Sequence, residues 1–169
     1  MNIWAWVEQA HEELRAQGQE RLAHLLYKLP EAVCADQHAQ VEALVPEALA
    51  LARATRNPWL EIFVRHWHLQ SRVLKRMEAG ALAEAVSLVE FSHRPENRDC
   101  PQSVCTTQDL ASCYTCADGP GYAPERLALA GETLQRLTPN WACFVCVSSE
   151  YAEALVDSGR HQEDRKSVV

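Results

Sequence analysis

NPWLEIFVRHWHLQSRVLKRME, residues 57–78, carries the pattern on which the reading of the whole chain turns. At about 100° per residue, Trp59, Ile62, Phe63, Trp67, Val73, Leu74 and Met77 share one broad arc. Arg65, Arg72 and Arg76 fall on a narrow stripe opposite, with His68 and Lys75 beside it. Asn57-Pro58 supplies a start, because proline loses nothing at a first helical position whose N–H has no partner in any case. An apolar arc this wide needs neighbours on more than one side, so the helix belongs inside a stack. His66 and Gln70, four residues apart, point into the arc, and burial as a hydrogen-bonded pair is expected. His66 and His68 diverge on a helix and make a poor metal pair.

On either side, breakers cut the chain into pieces of similar length. Residues 2–16 predict a helix ending at Gly18; residues 19–36 and 38–54 predict two more, with Pro30 and Pro46 expected to kink or break them. Gly80 separates the central helix from ALAEAVSLVEFSHR, and a cysteine-bearing helix is expected over 102–116. DGPGYAP, 118–124, reads as a loop, followed by ERLALAGETLQRL and, after Thr138-Pro139, NWACFVCVSSEYAEALVDSG. No run of residues alternates like a set of strands. Pro58, Pro101 and Pro139 each precede an aromatic or cysteine-bearing helix, and a glycine-containing turn joins each of the first two to a second helix. That recurrence fits helix-hairpin repeats.

EYAEALVDSGR, 150–160, resembles the first helix of a tetratricopeptide repeat: Tyr151-Ala152 stand at the large–small pair, Leu155 follows, and Gly159 ends the helix. MEAGALAEAV, 77–86, is similar to the turn of such a repeat, with Ala85 where the family packs a small residue. Val73 departs from the pattern, standing where a small residue would fall. The resemblance covers roughly residues 58–160. It implies an all-α, right-handed superhelix of three to four stacked antiparallel hairpins, a single domain over 1–160, and a concave groove that holds a protein or peptide partner. Under that reading the protein is a non-catalytic interaction module, and Arg65, His68, Arg72 and Arg76 are candidates to grip a peptide carboxylate. HQEDRKSVV, 161–169, loses the apolar pattern and is expected to be a frayed or truncated tail. The last helix would then leave Trp141, Phe144, Val147, Tyr151 and Leu155 uncapped, with self-association through that end as the consequence.

Composition narrows the alternatives. Apolar residues make up 47% and charged residues 23%, which suits a folded domain, and a net charge of −7 argues against general nucleic-acid or anionic-membrane binding. The acidic start MNIWAWVEQAHEEL is unlike a signal peptide, and no stretch reaches the ~18 apolar residues of a membrane span. A cytoplasmic protein is expected. No phosphate-cradling glycine loop, nucleophile-elbow serine or zinc-protease helix is present.

Seven cysteines, an odd number in an expected reducing compartment, argue against a disulfide framework. Four of them crowd into CPQSVCTTQDLASCYTC, 100–116. Two CxxC pairs, Cys113–Cys116 and Cys143–Cys146, suggest a zinc site, yet parallel first helices of ~14–16 residues would hold the pairs about 20 Å apart. Cys100, Cys105, Cys143 and Cys146, with His93, fall instead at one end of the stack, where helix N-termini favour thiolate. Two readings stand: small buried side chains that allow close helix packing, or, alternatively, a zinc- or thiol-dependent site in that front-end set.

Overall fold

The structure, a computed structural model, describes residues 2–76, 80–97, 99–141 and 143–160, and of residues 74–76 the backbone alone. The described residues form eight α-helices: α1 Ile3–Ala16, α2 Glu20–Cys34, α3 His38–Ala54, α4 Pro58–Arg76, α5 Ala81–Ser92, α6 Ser103–Asp118, α7 Ala123–Leu134 and α8 Phe144–Asp157. A 3-10 turn, Pro95–Asn97, lies between α5 and α6, and no strand occurs among the described residues. The chain is all-α. No helix among them is long and apolar enough to cross a membrane. The expected tail, 161–169, lies outside the described residues.

Each helix packs on the next, and α2 also touches α4, α4 touches α6, and α6 touches α8. The helix of residues 58–76 sits between two apolar cores. Leu60, Phe63 and Val64 join the core built by α1, α2 and α3. Ile62, Leu69 and Val73 join a second core with α5 and α6. The breadth of its apolar arc thus has a direct cause, although Leu60, Val64 and Leu69 widen it beyond the positions read from the sequence.

Pro30 and Pro46 do not split their helices: α2 and α3 each run through their proline. Loss of one backbone hydrogen bond is outweighed by burial along each helix, of Leu25, Leu26, Leu29, Ala32 and Val33 in α2 and of Val45, Ala48 and Ala52 in α3, although the Pro46 ring itself is exposed. Gly18 and Gly159 end α1 and α8 in the left-handed region, at φ 74° and 71°. The following amides close back on the helices, Gln19 N–H to Leu14 O and Arg160 N–H to Leu155 O, both at 2.8 Å. The loop at 118–124 is shorter than expected. Asp118 still belongs to α6, Tyr122 N–H bonds back to Asp118 O at 3.0 Å, and α7 begins at Ala123.

Helix α8 starts at Phe144, beyond a turn in which Trp141 N–H bonds to Thr138 O, so Pro139 lies outside it. Its apolar face is placed differently from the expectation. Val147 and Leu155 are buried by α6 and α7, Trp141, Phe144 and Tyr151 are half-buried, and the exposed apolar side chains are Val145 and Val156. A Cβ at Gly131 of α7 would lie 3.4 Å from the Tyr151 ring, in ordinary van der Waals contact across the α7–α8 interface.

Candidate functional site

The polar groups that the fold gathers lie between α4, α6 and α8. Helix α6 carries two charged residues in Ser103–Asp118, and the one in its middle, Asp109, has no solvent exposure. Its carboxylate is satisfied from α4. His66 Nδ1–H donates to Oδ2 at 2.7 Å, and the Gln70 amide donates to Oδ1. The four-residue spacing of His66 and Gln70 puts both on the face turned to α6. The Trp67 ring meets His66 edge-on at 5.0 Å and closes the site on one side. The hydrogen bonding of His66 and Gln70 and the burial of His66 were legible in the sequence; the half-exposure of Gln70 and the shared acceptor were not. The available signal was an acid in the middle of α6, between Gln108 and Leu110, on a helix rich in small side chains.

One turn before Asp109, Cys105 Sγ lies 2.7 Å from Cys143 Sγ, with Cys143 immediately before α8. Either thiol can supply the proton between the two sulfurs, and the deeper burial of Cys105 keeps it there. That hydrogen bond holds Cys143 below the usual thiol range, while holding the proton on Cys105, whose burial pushes it further up. Cys146, one helical turn beyond Cys143, is exposed.

The rest of the front-end set lies elsewhere. Cys100 is buried against the second core, and the Gln102 and Ser103 amides at the start of α6 hydrogen-bond to its sulfur. Burial still dominates and pushes its thiol up to about 12. Cys100 and His93 line a cleft of about 420 Å³ with Thr133, Arg136 and Trp141. Burial, then the Arg136 charge, holds His93 below the usual imidazole range. The expected set of Cys100, Cys105, Cys143, Cys146 and His93 therefore divides in two. Cys113 packs inside the second core and Cys116 at its edge, away from the Cys105–Cys143 contact in the first. Among the described residues no group of three or more His, Cys, Asp or Glu side chains is arranged to hold a metal ion.

The arginine stripe of α4 faces its own neighbours. Arg65 donates to Glu84 at 2.8 Å and Ser87 at 3.0 Å, both on α5, and its guanidinium lies over the Phe91 ring. His68 meets Glu42 of α3 at 3.2 Å. Arg72 approaches Gly80, where a Cβ would meet its Nη2 at 3.3 Å, and the Arg76 side chain lies outside the described residues.

A guanidinium that no sequence pattern singled out completes the buried polar groups. Arg126 of α7 has no exposure, donates to Gly119 O at 3.1 Å, and pairs with Asp157. Glu150 and Glu153 of α8 lie 3.6 and 3.5 Å from its Nη2. Glu150 in turn accepts from Ser112 at 2.8 Å, Gln108 at 3.1 Å and Thr115 at 3.2 Å, all on α6. One carboxylate thus ties α6, α7 and α8 together.

Compared with family models, with curated proteins and with solved structures, the chain matches none of them.

Proposed function

We propose that the chain is an interaction module: a tetratricopeptide-like, right-handed stack of helix hairpins whose groove holds a peptide or helix from a protein partner. The observation that supports it is the packing order. Successive helices pair, and α2, α4, α6 and α8 touch in series while α3, α5 and α7 each fall between two of them. Stacked hairpins produce that order, and their first helices line a continuous surface. The polar side chains between α4, α6 and α8 fasten these helices to one another, leaving the outer faces for recognition. Arg65 and His68 already meet Glu84 and Glu42. A carboxylate on the partner would exchange with these acids, and the stripe contributes selectivity more than affinity.

Selection of a displayed peptide library on the purified chain, followed by amide hydrogen exchange with the selected peptides, tests this reading. Protection is expected along one contiguous face of α2, α4 and α6. Enrichment of no sequence, or protection scattered over unconnected helices, would sink it.

A further inference from the structure

We propose that Cys105 and Cys143 are an oxidative modification site, at which a peroxide or a low-molecular-weight disulfide converts the two thiols into a disulfide tying the start of α6 to the start of α8. The geometry carries the inference. The two sulfurs lie 2.7 Å apart although 38 residues separate them in the chain, so helix packing and not local sequence brings them together. Reaching the ~2.05 Å of a disulfide asks for a movement of under about an ångström. Access is one-sided. Cys105 is buried within the first core, whereas Cys143 is half-buried at its edge, one turn from the exposed Cys146. Cys143 also has the hydrogen bond that favours its thiolate, the form that attacks.

With a peroxide, the Cys143 thiolate attacks oxygen, the S–O bond forms as O–O breaks, and a sulfenic acid and hydroxide result, the hydroxide leaving as water with the proton that the Cys143 thiol had released. Cys105 then attacks the Cys143 sulfur. The S–S bond forms, S–O breaks, and the departing hydroxide takes the Cys105 proton as water. With a low-molecular-weight disulfide, Cys143 forms a mixed disulfide and releases one small thiol, and attack by Cys105 releases the second. Either way two protein thiols are oxidised and one oxidant molecule is reduced. The bond would enclose most of α6, all of α7 and the turn before α8, and would reinforce the link between α7 and α8 that Arg126 and Glu150 make without covalent help.

The test uses the full chain, reduced and then treated with one equivalent of hydrogen peroxide or of glutathione disulfide, alkylated, and mapped by peptide mass spectrometry. The protein is expected to lose two of its seven free thiols, to give a Cys105–Cys143 linked peptide, and to regain both thiols with dithiothreitol. Amides of α8 should exchange at least tenfold more slowly in the oxidised form. Cys105→Ser and Cys143→Ser should each abolish the linkage and Cys146→Ser should keep it, with reduced-state melting confirming that the variants fold. Formation with one oxidant alone supports the proposal and assigns the route. A Cys143–Cys146 bond, dimers through Cys34 or Cys146, or Cys105 still free after Cys143 is consumed would each overturn it.

Discussion

A carboxylate with no solvent exposure needs acceptor sites filled on both oxygens, and Asp109 meets that need from another helix, through His66 and Gln70. Removing it leaves the buried His66 and the half-buried Gln70 without their acceptor. Asp109→Ala is expected to cost about 3 kcal/mol, and Asp109→Asn, which keeps one acceptor but turns an amide toward a donor, about half of that. Urea unfolding of both variants checks the order; equal stability of Asp109→Ala and the parent would mean the centre is not formed. A second residue-scale expectation concerns reactivity. The Cys105 hydrogen bond holds the Cys143 thiol low, whereas partial burial and then the Cys143 charge push Cys146 up. The thiolate is the reacting form. Alkylation at Cys143 should therefore rise at lower pH than at Cys146, despite the greater exposure of Cys146. Cys105→Ala should shift the Cys143 profile toward higher pH, which rates at each peptide measured across pH will show.

Helix α8 shows what an element can conceal. Its apolar residues were legible, but which of them α6 and α7 would cover was not, because that depends on a helix start displaced from Pro139 to Phe144 by a turn. Arg126 was concealed for a similar reason. ERLALAGETL gives an arginine on an amphipathic helix, ordinarily a solvated position, and only the neighbouring carboxylates of α8 make its burial tolerable. The polar link from α6 to α8 then predicts how this end of the molecule fails. Arg126→Ala leaves Glu150 and Asp157 facing a void, at a cost of roughly 3–5 kcal/mol. Loss should be concentrated in α8, whose amides would exchange faster while those of α1, α2 and α3 stay as they are. Arg126→Lys should recover little, since an ammonium group cannot reach Gly119 O and several carboxylates at once. Uniform loss of protection over all helices would mean that the chain unfolds as one unit.

Across the whole molecule, the order of helices was readable because glycine, proline and a period near 3.6 residues are local signals, and the breadth of the apolar arc of α4 matches its place between two apolar cores. Of the kink or break that Pro30 and Pro46 suggest, the break does not occur, because continuity of these helices is supported by burial, a tertiary effect. Of the expected front-end thiols, Cys105 in α6 and Cys143 before α8 come together, while Cys100 packs in the second core. The buried thiols also set how the fold as a whole responds to alkali. Cys100 and Cys113 are pushed from the usual 9.0 up to about 12, each by burial first; the Asp109 charge, then Cys116, adds to the shift at Cys113. In the unfolded chain both thiols release their protons near the usual value. The folded chain keeps them, so this stability is present in full below pH 9.0 and is lost as pH rises toward 12. Cys105, also raised, adds to the loss, and Cys143, lowered, opposes it. Each raised thiol contributes about 1.4 kcal/mol per pH unit within that window. Urea midpoints should accordingly hold steady to about pH 8.5 and fall steeply by about pH 10. Cys100→Ala and Cys113→Ala should each flatten the fall by one thiol's share, even where they lower stability at neutral pH. An unchanged slope in both variants would assign the alkaline loss to tyrosine and lysine instead.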